Sequence, residues 1–150
     1  MSEVRKAVLE DLQAISEFQI KMAWETEKLA LSPETVTNGV KVVFDNPARG
    51  QYWVATDNDK TIASLFITHE WSDWRNMDVW WLQSVYVIPE FRRRGVFRKM
   101  YGHIKAEAEK QNAAGLRLYV ETNNAVAKKT YEAIGMKSEH YRLYEWLRNV

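Results

Sequence analysis

Apolar residues recur along the chain with two periods, and the switches between them mark out its elements. After a short strand at 3–6, Val8, Leu12, Ile15, Phe18 and Met22 fall three and four apart, which predicts an amphipathic helix. Ser32-Pro33-Glu34 reads as the cap, first-turn proline and first-turn acid of a second helix. Its stripe is Val36, Val40, Val43 and Phe44, and Asn46-Pro47 and Gly50 stop it. The period then drops to two. β-rich runs at 51–56, 61–68 and 79–88 are separated by Asp57-Asn58-Asp59-Lys60 and by a loop around 72–78, and predict an antiparallel meander. The third run is apolar or aromatic on both faces, as in a strand near the sheet centre, and Gln83 and Ser84 interrupt it.

The helical period returns at Val96, Phe97, Met100, Tyr101 and Ile104, and 111–115 closes that helix. Leu116, Leu118 and Val120 alternate as a strand, so this strand and the one before the helix should run parallel. Asn123 or Asn124 caps a further helix with Ala127, Tyr131 and Ile134 on one side and Gly135 at its end. Tyr141, Leu143, Tyr144 and Trp146 predict a last strand. The expected order is β, α, α, β, β, β, α, β, α, β, an α/β (α+β) chain forming one domain over 1–150 around a mixed sheet.

Composition narrows the function more by exclusion than by suggestion. Twenty-one basic against 20 acidic residues leave a formal charge of +1, so no global field draws nucleic acid or an anionic membrane, and any basic site must be local. The absence of cysteine removes disulfides, thiolate metal sites and a covalent cysteine intermediate, and fits a reducing cytoplasm. The three histidines show no metal-ligand spacing, and no run is apolar for long enough to cross a bilayer. A cytoplasmic protein without a metal, nucleic-acid or membrane partner is expected.

One stretch carries most of the chemistry. In Val85-Tyr86-Val87-Ile88-Pro89-Glu90-Phe91-Arg92-Arg93-Arg94-Gly95-Val96-Phe97-Arg98 a strand leads through a basic turn into a helix. Such a turn offers unpaired N–H groups, the positive end of the helix dipole and the arginine charges to an anion, which points to phosphate.

With this stretch in place the chain resembles, over essentially its full length, the GNAT (GCN5-related N-acetyltransferase) superfamily. The family pattern [Q/R]-x-x-G-x-[G/A] appears as Arg92 to Phe97, with Phe97 where glycine or alanine is usual. The segment Asn124 to Met136 matches every fixed position of N-x-x-A-x-x-x-Y-x-x-x-G-[F/M]. The resemblance implies a GNAT fold: a mixed, mostly antiparallel sheet of about six or seven strands flanked by about four helices. It also implies acetyl-CoA as co-substrate. Arg92, Arg93, Arg94, Gly95, Val96, Phe97 and Arg98 would cradle its pyrophosphate. Val85, Tyr86 and Val87 would face pantetheine and thioester, Asn124 the pantetheine arm, and Tyr131 the sulfur as general acid.

The implied reaction is direct acetyl transfer to a primary amine. The position aligned with the family's glutamate base holds Trp81, which leaves Glu70, Asp73, Glu121 and His69 as candidate bases; His103 and His140 read as structural. Trp24, Glu25 and Glu27 on the helix-to-helix connection, Glu70, Trp71, Asp73 and Trp74 on the strand-to-strand loop, and Gln83 would border the acceptor groove. Their carboxylates and aromatic faces favour a small cationic amine. A loose similarity of 74–94 to diamine acetyltransferases agrees, although Gln83-Ser84 replaces an expected acidic pair. The alternatives are acetylation of a protein amino terminus or lysine, and an inactive acetyl-CoA-binding module. The aromatic last strand would suit a homodimer.

Overall fold

The computed structural model describes residues 2–149 and resolves into two compact units, Met1–Arg117 and Leu118–Val150. The first holds β1 (Glu3–Lys6), α1 (Leu12–Glu27), α2 (Pro33–Asp45), β2 (Gln51–Asp57), β3 (Lys60–Ser72), β4 (Met77–Val87), α3 (Val96–Lys110) and β5 (Gly115–Arg117). The second holds α4 (Ala125–Ala133). The sheet has strand order β1-β2-β3-β4-β5, antiparallel throughout except for the parallel pair β4 and β5.

Local chemistry accounts for the boundaries. Ser32 caps α2, its Oγ accepting from the Thr35 N–H at 3.3 Å, with Pro33 at the first helical position. Asn58 (φ 47°) and Asp59 (φ 64°) form the two-residue turn between β2 and β3, where both positive φ values match the right-handed twist of the strands. Gly50 precedes β2 at φ 143°, and a Cβ there would lie 2.4 Å from the Ile67 carbonyl oxygen. Only glycine lets the backbones approach so closely.

Register divides the sheet into two faces, because residues directly opposite one another point the same way. Tyr52, Val54, Ser64 and Phe66 lie on one face, where Tyr52 and Val54 pack with Ile15 of α1 and Val40 and Val43 of α2. Trp53 lies on the other, its ring 5.3 Å from that of His103 on α3. Beneath it α3 buries Met100 and Ile104.

Several expectations are corrected. The sheet has five strands, not six or seven, and residues 141–149 form no strand. β5 likewise stops at Arg117, short of Leu118 and Val120. Alternating apolar residues supply a face but no backbone partner, and a strand needs both. The loop expected around 72–78 is also shorter, because β3 and β4 extend to Ser72 and Met77 and leave a turn of four residues. Glu70 and Trp71 therefore sit on β3. Trp24, Glu25 and Glu27 occupy the last turn of α1 rather than the connection after it.

Candidate active site

The centre of the first unit is an irregularity in β4. Ser64 pairs with Tyr86 and Phe66 with Gln83, so Ser84 and Val85 together face the single residue Leu65, and Ser84 takes φ 52°. This is a β-bulge, and it shifts the alternation by one. Trp81 and Gln83 lie on the α1 and α2 face, and beyond the bulge Tyr86 joins them, its ring 5.2 Å from that of Phe18 on α1. Uninterrupted alternation would have turned Tyr86 toward α3.

The bulge adjoins an open edge. The ladder between β4 and β5 ends at Trp81 and Arg117, so residues 82–87 of β4 continue without a β5 partner. At the end of β4 the Ile88 N–H donates to the Ile62 oxygen at 2.9 Å, which by alternation turns the N–H and C=O of Val87 away from β3. The Val87 carbonyl accepts from Arg92 Nε at 2.8 Å.

A 3₁₀ turn, Pro89–Phe91, then leads into the basic segment. Arg93 (φ 63°) and Gly95 (φ 76°) both adopt left-handed conformations that swing the chain into α3. Gly95 is the N-cap of that helix. No side chain caps it, and a Cβ at Gly95 would meet nothing within 4 Å. The first-turn N–H groups thus lack a side-chain cap, with the exposed side chains of Arg93, Arg94 and Arg98 nearby in sequence. Phe97 lies on the helix itself, half-buried, its ring centroid 6.2 Å from that of Tyr101 one turn on. A pyrophosphate fits this uncapped, basic turn.

Arg92 differs from the other arginines. Its Nη2 donates to Glu25 Oε2 at 3.0 Å, and its guanidinium lies 5.2 Å from the centre of the Tyr86 ring. The Tyr86 hydroxyl donates to the other oxygen of Glu25 at 3.2 Å. Burial first, and then this hydrogen bond, push the Tyr86 hydroxyl above its ordinary pKa. No sequence signal linked Glu25 to residues 61 and 67 positions away.

The expected acceptor residues separate into groups. Gln83 and Glu70 share the α1 and α2 face of the sheet: Gln83 Nε2 donates to Thr68 Oγ1 at 2.6 Å, and Glu70 accepts from Trp81 Nε1 at 3.1 Å and from Arg117 Nη1 at 2.8 Å. As a candidate base Glu70 thus already serves two donors. Trp71 opposes Asp78 on the other face, and Asp73 and Trp74 lie in the turn beyond, all exposed. From Asp78 to Tyr86 is roughly 25 Å of strand at ~3.3 Å per residue, so the hairpin tip and the end of α1 do not converge. His69 is exposed beside the ring of Trp80. Among the described residues no three acidic or histidine side chains gather as a metal-holding group, and no helix is long and apolar enough to cross a membrane.

In the second unit the Asn124 side chain accepts from the Ala127 N–H at 3.1 Å, capping α4 as its spacing suggested. Tyr131 is half-buried, and that burial raises the pKa of its hydroxyl. Glu121 accepts from the Asn123 N–H at 2.9 Å.

A bulged strand, an open edge beyond it and an uncapped basic helix start follow one another within residues 82–96. The acetyltransferase (GNAT) family model matches residues 8–136, and the chain belongs to that family. A possible acetyltransferase from Clostridium difficile 630 is 41% identical, with 99% of each chain covered and a TM-score of 0.91. A predicted acetyltransferase from Clostridium acetobutylicum, solved with acetyl-CoA, is 19% identical over 99% of this chain and 96% of that one, at a TM-score of 0.75. AAC(6′)-Iy in complex with the bisubstrate analogue CoA-S-monomethyl-acetylneamine is 13% identical over 99% of both chains, at 0.80. No curated protein matches.

Proposed function

We propose that the chain is an acetyl-CoA-dependent N-acetyltransferase that passes the acetyl group directly to the primary amine of a small cationic acceptor, its two units serving one domain over 1–150. The observation that carries this reading is the continuity of the bulge, the open β4 edge and the uncapped start of α3 within fifteen residues, 82–96. Bound acetyl-CoA would supply the activated acyl group. The N–H groups of 95–98 and the side chains of Arg93, Arg94 and Arg98 hold the pyrophosphate. The backbone of Val85 to Val87 aligns the pantetheine arm, with Asn124 as a further contact.

The Val87 N–H, turned away from β3, donates to the thioester carbonyl as negative charge develops there. The amine attacks in its neutral form and releases its N–H proton to solvent water as the C–N bond forms, while Tyr131 gives its proton to the thiolate that departs as the C–S bond breaks. Its raised pKa keeps the hydroxyl protonated through neutral pH, as a general acid requires. Exposed Trp24 and Glu27, in the same last turn of α1 as Glu25, support a cationic acceptor.

The test is thiol release from acetyl-CoA across a panel of polyamines, aminoglycosides, amino-acid amides and amino-terminal peptides, beside calorimetry with acetyl-CoA. Turnover on small amines supports the reading. Turnover on peptides alone would reassign the acceptor to protein, and binding without turnover on any amine would leave a binding module. With the substrate in hand, Tyr131→Phe should lower kcat by about 10²-fold while barely changing acetyl-CoA affinity. Tyr131→Phe should also abolish the alkaline fall in rate that deprotonation of Tyr131, above ~10, imposes on the wild type. An unchanged kcat removes the general-acid role.

A further inference from the structure

The contacts of Arg92 all run backwards, away from the helix start it precedes. Nε holds the Val87 carbonyl, Nη2 holds Glu25, and the guanidinium covers the Tyr86 ring, which itself donates to Glu25. Both carboxylate oxygens of Glu25 are therefore occupied, one by each partner. Two of the five N–H donors of Arg92 and one lone pair on each Glu25 oxygen are thus spent within this cluster, and together they fix the guanidinium against Glu25 and the end of β4.

We infer that Glu25, Tyr86 and Arg92 form a brace that fixes the acetyl-CoA turn from behind, so that Arg92 is a positioning residue rather than a pyrophosphate ligand and Glu25 acts on the cofactor rather than on the acceptor. The inference rests on the acetyl-CoA reading above. The brace joins three elements: the last turn of α1, the end of β4 and the turn into α3. It grips the carbonyl of Val87, whose N–H is turned from β3, and so sets the tilt of that residue together with the path into Arg93 and Gly95. The pair is partly solvent-accessible, with side chains 44% and 38% exposed, so salt weakens but does not abolish it.

The two roles for Arg92 predict opposite signs for one substitution. If Arg92 were a phosphate ligand held in reserve by Glu25, then Glu25→Gln would release it, and coenzyme A would bind as well or better. If the brace positions the turn, Glu25→Gln weakens coenzyme A binding. Titration of the full chain with coenzyme A by calorimetry distinguishes them without knowledge of the acceptor. The expected result is a three- to tenfold rise in Kd for Glu25→Gln and for Arg92→Met, with the double variant no weaker than Arg92→Met alone. Tyr86→Phe, which removes only the hydroxyl, should raise Kd about twofold, and it reads the brace independently should Glu25→Gln fail to fold.

Unchanged or tighter binding by Glu25→Gln, or additive losses in the double variant, would overturn the brace while leaving the acetyl-CoA reading intact. Failure of the wild-type chain to bind coenzyme A would overturn both.

Discussion

Asp11 shows how much one side chain can hold. It is buried, and that burial pushes its pKa up, but a bidentate pairing with Arg5 (2.7 and 3.1 Å), the Val8 N–H at 2.8 Å and Thr61 Oγ1 at 3.3 Å together bring it below the ordinary value. A depressed carboxylate contributes stability above its unfolded pKa of ~3.9 and loses that contribution as pH falls through its folded pKa. Asp11→Asn should cost about 2 kcal/mol at neutral pH, since Arg5 is partly exposed and solvent screens the pair. Urea unfolding of the two chains at pH 7 and again well below pH 4 checks this, and the difference should narrow in acid. Phe97 was legible only as a departure from pattern. The structure supplies the outcome, a ring lying along α3 toward Tyr101, which a sequence cannot give because either rotamer suits a helix start.

The elements themselves were readable wherever a local signal set them: Ser32 and Asn124 as caps, Asn58-Asp59 as a turn, and the stripes of α1 to α3. What escaped was set by partners. The bulge carries no local mark beyond Gln83-Ser84, because an extra residue in β4 is defined only against Leu65 on β3. The last strand failed for the complementary reason, a pattern without a ladder. Ser84 at φ 52° is the point on which the alternation turns. Ser84→Gly should be tolerated, whereas Ser84→Val places a β-branched residue in a left-handed conformation and should cost about 1–2 kcal/mol. Chemical denaturation of the two variants tests the pair. Valine should also weaken coenzyme A binding, because the bulge sets the face on which Tyr86 lies.

At the scale of the whole molecule, the buried apolar side chains among the described residues run from Ala7 to Ala108, all within the first unit. α4 has nine residues and buries none of them fully, and helices so short are marginal without packing. Amide hydrogen exchange should therefore be markedly faster in α4 than in β3, whose Ile62 to Leu65 are fully enclosed, and equal protection would contradict this. The sequence holds seven tryptophans, and burial sorts them. Trp53 and Trp80 are buried, Trp81 is half-buried, and Trp24, Trp71, Trp74 and Trp146 stand in solvent. The protein thus emits as two populations of indole. Iodide reaches the outer four, and the bluer light that survives it comes chiefly from the two that watch the sheet.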